Sequence, residues 1–345
     1  MTTSTHKRKR PSLQRSLLQR DEHAFTSLEI CAGAGGQALG VEAAQFSHLA
    51  ALDNDRHACE TLRTNRPHWN VVEKDLREFD ARAFKGVDLL AGGVPCPPFS
   101  VAGKQLGSSD DRDLFPQAIR LVDECRPRAV MLENVRGFLD AVFEDYRRRL
   151  KEQLRKLGYM TDWRLLNASD FGVPQLRPRV VVVALSKGAA AHFSWPEPLP
   201  HNPPNVGEVL YDLMAENGWR GAPAWRVRAS EIAPTIVGGS KKHGGPDLGP
   251  TRARRAWADL GVNGLSIADE APAADFVGMP RLTLRMVARL QGFPDDWKFS
   301  GKKTPAYRQV GNAFPPPVAA AVAKQIHCAL VSAKARGPTR RNEAA

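Results

Sequence analysis

Residues 87–100 read VDLLAGGVPCPPFS, and this stretch decides the fold of the chain. Its first part, Val87 to Ala91, is small and mostly apolar, which predicts a buried strand. Its second part turns through two glycines and three prolines around Cys96. Glycine allows unusual backbone dihedrals and proline fixes φ, so this part predicts a stiff loop holding one thiol beyond a strand end. Ligands of open α/β sheets bind at that end of the strands. A rigid loop around an inert, buried cysteine fits the same residues.

Outward from this loop, short apolar strands alternate with helices. This alternation predicts a mostly parallel sheet that is covered by helices on both faces. The fold class we expect is therefore α/β, with a Rossmann-like sheet. The expected strands are 27–31, 48–52, 71–72, 87–91, 128–132, 162–167 and 180–185, and the expected helices are 37–45, 55–65, 114–125, 141–157, 283–290 and 317–330.

The first expected strand runs into a glycine loop, Ala32-Gly33-Ala34-Gly35-Gly36, and the second ends on Asp53. Glycines let a backbone approach a ligand closely, and an acid that ends the second strand can take ribose hydroxyls. The glycines are spaced GxGG rather than GxGxxG. The pattern therefore predicts a nucleotide-type cradle, and a nicotinamide dehydrogenase fits it poorly.

Polar residues follow four of the expected strands: Asp53, Asp75, Cys96 and Glu133. Four such residues at one edge of a sheet describe a site. A thiol and a carboxylic acid beside a nucleoside cradle suit methylation at C5 of cytosine. Addition of a thiolate at C6 makes C5 nucleophilic, and an acid at N3 takes up the charge that builds there. An alternative for Glu133 is a structural ion pair with an arginine.

The composition of the chain narrows the class of protein further. The chain has 345 residues and a formal net charge of +12, which favours a polyanionic partner such as nucleic acid. Its five cysteines are scattered singly, which predicts neither a disulfide framework nor a metal site and fits a reducing cytoplasm. Apolar runs are too short for a membrane span or a signal peptide. Basic, disordered arms are expected at 1–24 and 333–345.

Taken together, these motifs resemble the bacterial-type DNA (cytosine-5)-methyltransferase family from about Thr26 to Ile326. The resemblance rests on segments in the family's order: Leu28–Gly36, Asp53, Asp75, Gly93–Cys96 with Phe99-Ser100, Glu133–Val135, Gln175 with Arg177 and Arg179, Arg281–Pro294, and Gln309–Ala313 with Pro315-Pro316. Three positions depart from the family pattern: Pro97 replaces a common Gln, Met286 a common Glu, and Asp53 a common Glu.

The resemblance implies a class I S-adenosylmethionine-dependent methyltransferase fold and assigns roles to residues. Cys96 is the nucleophile, Glu133 the acid at N3, Arg179 the group that holds O2 and orients Glu133, and Arg177 a residue that grips the backbone or braces the site. The implied cofactor is S-adenosyl-L-methionine, bound by Cys31, Gly33, Ala34, Gly35, Asp53, Asn54, Asp75, Leu76, Gly93, Pro95, Asn312 and Ala313. The implied partner is duplex DNA, contacted by Ser100, Gln175, Thr235, Lys241, Lys242, His243, Arg252 and Arg254.

The resemblance also implies a division of the chain. Residues 25–185 form the catalytic and cofactor-binding domain, 186–280 an inserted, irregular target-recognition domain, and 281–332 the return to the first. We expect a monomeric, cytoplasmic, DNA-associated modification methylase, whose cognate restriction endonuclease would be a separate chain. Two alternatives stay open: an RNA cytosine-5 methyltransferase built on the same motifs, and a non-enzymatic DNA-binding regulator.

Overall fold

The structure is a computed structural model that describes residues 25–95, 113–239 and 244–335. One seven-stranded sheet organises it, in the order β3-β2-β1-β4-β5-β7-β6. Adjacent strands run parallel, except that β7 is antiparallel to both of its neighbours. The mostly parallel sheet predicted from the sequence is confirmed. The strands are β1 (Phe25–Ile30), β2 (Phe46–Asp53), β3 (Val71–Glu73), β4 (Leu89–Gly93), β5 (Ala129–Val135), β6 (Tyr159–Asn167) and β7 (Pro178–Ser186).

Helices cover both faces of the sheet. In the described ranges they are α1 (Gly36–Ala43), α2 (Arg56–Asn65), α3 (Phe115–Cys125), α4 (Glu144–Lys156), α5 (Lys187–Ala190), α6 (Val206–Met214), α7 (Ala222–Arg228), α8 (Thr251–Asp259), α9 (Leu284–Leu290), α10 (Lys303–Asn312) and α11 (Pro316–Ala335). Apolar residues of α3 and α4 pack on one face of the sheet, and those of α1 and α11 on the other. None of these described helices is long and apolar enough to cross a membrane.

Helix α1 lies against α11 because glycine lets their backbones meet. A Cβ atom added to Gly40 would lie 2.5 Å from both the Cβ of Ala319 and the carbonyl oxygen of Pro316. A Cβ added to Gly36 would lie 2.3 Å from the oxygen of Phe314. These distances leave no room for a side chain. The contact holds the start of α11 against the glycine loop that follows β1.

The order of the strands reverses between β1 and β4, which are neighbours in the middle of the sheet. The connections that follow these two strands diverge there and leave a crevice at their carboxyl ends. Gly92 keeps the two strands close at this point, because a Cβ there would lie 2.3 Å from the carbonyl oxygen of Ile30. The fold therefore places the glycine loop and the loop after β4 on either side of one opening.

The region expected to be irregular, 186–280, contains α5 to α8. Its buried side chains, such as Leu210, Trp225 and Trp257, belong to the same apolar cluster as Leu39 and Leu62 beside the sheet. A separate, inserted domain therefore stays a prediction. Helix α10 was not expected from the sequence.

At Met286, one of the departures from the family pattern, the start of α9 is still capped. The sulfur of Met286 lies 3.4 Å from the backbone nitrogen of Thr283, and the hydroxyl of Thr283 accepts from the nitrogen of Met286 at 3.3 Å. The thioether therefore stands where a carboxylate would complete a capping box.

Candidate active site

A cavity of about 310 Å³ opens at the crevice between β1 and β4. Its size falls at the lower end of the range that small-molecule sites occupy. Most of the residues assigned to the cofactor from the sequence line it: Cys31, Gly33, Ala34, Asp53, Asn54, Leu76, Gly93, Pro95, Asn312 and Ala313. All of them come from segments that follow strand ends or from the end of α10.

Asp53, at the end of β2, fixes the glycine loop. One carboxylate oxygen accepts from the backbone nitrogen of Gly33 at 2.8 Å, and the other accepts from that of Asp55 at 2.8 Å. Gly33 has φ +54°, and no heavy atom lies within 4 Å of where its Cβ would be. Burial raises the pKa of Asp53, and the backbone hydrogen bonds oppose this rise. The carboxylate thus shapes the loop as well as the cavity.

Two residues assigned to the cofactor, Gly35 and Asp75, do not line this cavity. Gly35 has φ +89° and packs on α2, where a Cβ would lie 2.7 Å from Leu62 and 3.1 Å from Trp297. Asp75 accepts from the backbone nitrogen of Arg77 at 2.8 Å and forms an ion pair with its guanidinium at 3.1 Å. Gly35 therefore permits close packing behind the loop, and Asp75 shapes the turn that presents Leu76.

Cys31 is the cysteine of the described ranges that reaches the cavity. Burial raises the pKa of its thiol, and the nearby carboxylate of Asp53 adds to the rise. A thiol with a raised pKa is a poor nucleophile at neutral pH. Cys31 is therefore suited to contact a ligand rather than to react with it.

Glu133 lies near the carboxyl end of β5 and lines the same cavity. One of its oxygens lies 2.8 Å from Nε of Arg179, and both side chains are largely buried. Burial raises the pKa of Glu133, and the positive charges of Arg179 and Arg177 oppose the rise. A Cβ on Gly93 would lie 3.3 Å from the carboxylate, so glycine leaves this group room. The site therefore holds a carboxyl group whose affinity for a proton is increased.

Arg179 reaches Glu133 because β7 runs antiparallel to β5. The register pairs Val135, at the end of β5, with Arg179, near the start of β7. A residue at the beginning of one strand thus meets residues at the end of another. A parallel strand in the same place would have put Arg179 at the opposite edge of the sheet.

The loop that carries Cys96 is anchored on both sides of the undescribed residues 96–112. The side-chain amide of Asn134 donates to the carbonyl of Val94 at 3.1 Å, which ties this loop to the residue after Glu133. The backbone nitrogen of Leu114 donates to the carbonyl of Pro95 at 3.1 Å. Cys96 itself, with Pro97 and Ser100, lies outside the described residues. Pro95, its neighbour in the chain, lines the cavity.

Arg177, which the sequence grouped with the catalytic residues, is completely buried and lies away from the cavity wall. Its guanidinium donates to the carbonyls of Ile236 at 2.6 Å, Gly311 at 2.8 Å and Ala313 at 2.9 Å. It therefore joins three chain segments, which is compatible with the second of the two roles expected for it, bracing the site.

Gln175, assigned to DNA, is also completely buried, which corrects that assignment. Its amide nitrogen donates to the side-chain oxygen of Gln291 at 2.7 Å, and its oxygen accepts from the backbone nitrogen of Ile236 at 3.0 Å. Gln291 in turn donates to the carbonyl of Ala313 at 2.6 Å. Together with Arg177, these amides form one buried polar network.

Of the other residues assigned to DNA, the structure describes Thr235, Arg252 and Arg254. The hydroxyl of Thr235, which is half-buried, donates to the carbonyl of Leu176 and so joins 233–236 to the segment before β7. Arg252 is exposed and Arg254 half-buried on α8. Lys241, Lys242 and His243 lie outside the described residues.

Several cavity residues were not assigned from the sequence. They are Ala32, Gly36, Gln37, Leu52, Asp55, Ala58, Lys74, Leu114, Arg308, Gln309 and Phe314. Glu133 was assigned from the sequence as an acid, and it also lines the cavity. Arg308 and Gln309 lie on α10, one turn before Asn312, so a helix prediction for this motif would have indicated them. Leu114 carries no comparable signal, because only the return of the chain after residue 112 brings it to the cavity.

A sheet with one antiparallel strand beside its parallel half, a glycine-walled cavity at the reversal point and an acid that ends β2 define a class I methyltransferase architecture. Comparison with solved structures agrees on the fold. A variant of DNMT2 from Spodoptera frugiperda superposes with a TM-score of 0.61 at 19% identity, covering 88% of this chain and 99% of that one.

Sequence comparison is more specific. Residues 25–328 match the C-5 cytosine-specific DNA methylase family. The chain is 59% identical over 309 residues to the Type II methyltransferase M.NgoMIV of Neisseria gonorrhoeae, covering 89% of this chain and 98% of that protein. It is 57% identical to M.NaeI of Lentzea aerocolonigenes, covering 88% and 75%. The chain therefore belongs to the C-5 cytosine-specific DNA methylase family and is a DNA (cytosine-5)-methyltransferase.

Proposed function

We propose that this enzyme transfers a methyl group from S-adenosyl-L-methionine to C5 of a cytosine that has left the duplex, as the modification methylase of a Type II restriction–modification system. The observation that carries the proposal is the carboxyl group of Glu133 on the wall of the cavity, paired with Arg179 at 2.8 Å. The family requires a methyl donor, and the relatives named above are Type II methyltransferases.

S-adenosyl-L-methionine fits the residues present. The cavity combines polar groups at the end of β2 with the apolar side chains of Leu52, Leu76 and Phe314. Open space at Gly33 lets a ligand approach the backbone of the loop. When bound, this cofactor supplies an electrophilic methyl group on sulfur. Asp53, Asn54, Asn312 and Pro95 are the residues we propose to hold it.

The remaining chemistry belongs to the chain. The thiolate of Cys96 adds to C6 of the cytosine, while Glu133 gives a proton to N3 and takes up the charge that would develop there. C5 then takes the methyl group and loses its proton to solvent water, the Cys96 thiolate leaves C6, and N3 returns its proton to the Glu133 carboxylate. Arg179 orients Glu133 and holds O2. A carboxyl group whose pKa is raised by burial suits this step, because burial increases its affinity for the proton that it gives to N3.

The DNA partner is proposed to lie along residues 186–280. Support comes from the net charge of +12 and from the basic residues Arg252, Arg254, Lys241, Lys242 and His243. A cytosine can reach a buried carboxyl group only if it is extruded from the helix. We propose a monomer acting on DNA in the bacterial cytoplasm.

The test is bisulfite sequencing of plasmid DNA after expression of the wild-type chain and of Cys96→Ser. We expect methylation at one short sequence with wild type and none with the variant, while the variant still binds S-adenosylhomocysteine. Purified enzyme with tritiated donor should label duplex DNA and not tRNA. Labelling of tRNA alone, or normal methylation by Cys96→Ser, would contradict the proposal.

A further inference from the structure

Three large apolar side chains are exposed on segments that carry or support the Glu133–Arg179 pair. Val135 ends β5 and is 46% exposed, Leu176 precedes β7 and is 53% exposed, and Val237 lies in the segment after Thr235 and is 46% exposed. Single exposed apolar residues are ordinary on a protein surface. These three belong together because strand pairing and hydrogen bonds join their segments at one place.

Val135 lies directly beside the ion pair. It comes two residues after Glu133 on β5, so the two side chains lie on the same face of the sheet. The register also pairs Val135 with Arg179 of β7. Directly opposite side chains of antiparallel strands have Cβ atoms about 4.5–5.5 Å apart. The exposed surface of Val135 therefore borders the position of a ring that Glu133 and Arg179 would hold.

Leu176 and Val237 lie on two segments that are hydrogen-bonded to each other. The hydroxyl of Thr235 donates to the carbonyl of Leu176. Arg177, the next residue, donates to the carbonyl of Ile236 at 2.6 Å. Val237 comes directly after Ile236, so these bonds fix its position relative to the start of β7.

Val237 is also tied to the cavity wall. A Cβ on Gly238, the next residue, would lie 2.6 Å from the side-chain oxygen of Asn312, which lines the cavity. The segment after Thr235 therefore passes along the mouth of the cavity. Val135, Leu176 and Val237 together form what we term the apolar rim.

The chemistry of cytosine indicates which part of a nucleotide meets this rim. C2, which carries O2, lies between N3 and N1, and N1 carries the sugar. A ring held at N3 by Glu133 and at O2 by Arg179 therefore has its sugar next to Arg179, where Val135 is the partner in the register. The sugar of DNA has a methylene group at C2′, and that of RNA has a hydroxyl there.

We propose that the apolar rim packs against the deoxyribose of the extruded nucleotide and excludes a ribose at that position. The inference rests on the proposed function and names the feature of the substrate that the site selects. A methylene group needs no hydrogen bond from aliphatic side chains. A 2′-hydroxyl in the same place loses water and gains no partner from them, which costs free energy. The rim thus acts against RNA, the substrate that the sequence left open.

The experiment uses the full chain and duplexes that contain the site identified by bisulfite sequencing. One duplex is DNA throughout, and a second has a single ribocytidine at the position to be methylated. Single-turnover methyl transfer at limiting duplex gives the preference for deoxyribose as a ratio of rates. We expect the wild type to prefer the all-DNA duplex by about tenfold or more, because added hydroxyl groups are rejected by apolar sites to about this extent.

A third duplex separates the hydroxyl from the shape of the sugar ring. It carries 2′-deoxy-2′-fluorocytidine, whose ring puckers as ribose does but which has no hydroxyl to desolvate. We expect the wild type to methylate it within about threefold of the all-DNA duplex. A fluoro duplex as slow as the ribo duplex would mean that the pucker of the sugar is sensed, which would overturn the proposal.

Substitution of the rim should remove the preference. Val135→Thr, Val237→Thr and Leu176→Asn keep roughly the size of each side chain and add groups that can bond a 2′-hydroxyl. With all three changes the preference should fall to less than about threefold. Among the single variants, Val135→Thr should lower it most, because Val135 is the register partner of Arg179.

Two matched variants control for polarity at an exposed position. Val331→Thr on α11 and Leu199→Asn change side chains that are 46% and 43% exposed and that lie outside the rim. Both should keep the wild-type preference. Thermal midpoints report folding for every variant, and the single variants decide the question where the combined one does not fold.

The failure of this proposal differs from the failure of the proposed function. Equal methylation of the ribo and all-DNA duplexes by the wild type would overturn the role of the rim and leave the reaction as proposed. A strong preference that survives in the rim variants would do the same, because the sugar would then be sensed elsewhere. Failure of the wild type to methylate the all-DNA duplex would overturn the proposed function and this proposal with it.

Discussion

Two guanidinium groups stand two residues apart at the start of β7, and their surroundings differ. Arg179 forms an ion pair with Glu133 at 2.8 Å on the cavity side of the sheet. Arg177 has no exposed surface and binds only neutral partners, among them the carbonyls of Ile236, Gly311 and Ala313. Side chains two positions apart on an extended backbone lie on the same side, so the difference between these two arises from their partners.

The partners decide what each arginine can do. Glu133 can gain or lose a proton, so a charge beside it changes the free energy of a proton transfer. Carbonyl groups do not titrate, so the hydrogen bonds of Arg177 hold three chain segments in place, and its charge reaches Glu133 only from a distance. The same residue type thus pairs with a titratable group at position 179 and joins chain segments at position 177. Four predictions test this comparison.

The largest effect is expected at Glu133. Glu133→Gln keeps the size of the side chain but removes the proton that N3 needs, so single-turnover methyl transfer should fall about 10²–10⁴-fold. Binding of S-adenosylhomocysteine should stay nearly unchanged. Glu144→Gln, at an exposed position on α4, is the control and should transfer at the wild-type rate. Transfer by Glu133→Gln at a rate close to wild type would remove the acid from the mechanism.

Arg177 should affect stability first. Arg177→Met removes the buried donor from the carbonyls of Ile236 and Gly311 and leaves that of Ala313 with Gln291 alone, which should lower the free energy of unfolding by about 3 kcal/mol or more. Urea denaturation measures this. Arg136→Met, at an exposed arginine, should change it by less than about 0.5 kcal/mol. A stable Arg177→Met variant that has lost only methyl transfer would instead place Arg177 in the reaction.

Glu29 extends the comparison to a buried carboxyl group that, unlike Glu133, has no arginine beside it. Neither of its buried oxygens has a hydrogen-bond partner among the described residues. Burial raises its pKa to about 8. Between about pH 5 and 8 the folded chain keeps a proton that the unfolded chain has released. The free energy of unfolding should therefore fall by about 3 kcal/mol as pH rises across this window.

Glu29→Gln tests this linkage, since the amide does not titrate. Urea denaturation at several pH values should show a shallower pH dependence for the variant than for the wild type, with the larger gain at the alkaline end. Equal slopes for the two proteins would mean that Glu29 has its ordinary pKa in the folded state.

The smallest effect is expected at Asp53. Asp53→Asn keeps one acceptor for the backbone nitrogens of Gly33 and Asp55 but loses the charge. We expect this to weaken binding of the methyl donor by about 1–2 kcal/mol, which raises its Kd roughly tenfold. Titration with S-adenosylhomocysteine checks this. Glu73→Gln, on the exposed part of β3, should bind as the wild type does. An effect above about a thousandfold would mean that Asp53 does more than shape the loop.

The sequence allowed the sheet and half of the residues lining the cavity to be predicted, because apolar strands and the residues that follow them are local signals. The burial of an individual polar residue has no such local signal, because it depends on residues far away in the sequence. Gln175 was taken for a DNA contact, since nothing near it in sequence indicates that Gln291 and Ile236 enclose it. Gly35 was taken for a cofactor contact, whereas Leu62 and Trp297 explain the glycine.

The helices of 186–280 escaped prediction for a related reason. Helices α6 and α7 are short, and short helices have little stability of their own. Their buried side chains Leu210 and Trp225 join the apolar cluster beside the sheet, so tertiary packing stabilises them. Such packing depends on residues far along the chain, and a periodic pattern within a short segment does not reveal it.

The hydrogen bond between the nitrogen of Leu114 and the carbonyl of Pro95 has a consequence for engineering. It closes the base of the excursion that carries Cys96, and both of its residues belong to the cavity wall. Residues 96–112 grafted from a relative would thus be joined to the scaffold at two residues that are already hydrogen-bonded to each other. Doubling the number of residues between Pro95 and Leu114 should add only about 0.6 kcal/mol of closure entropy. The scaffold is therefore suited to exchanging residues 96–112 while the cavity is left as it is.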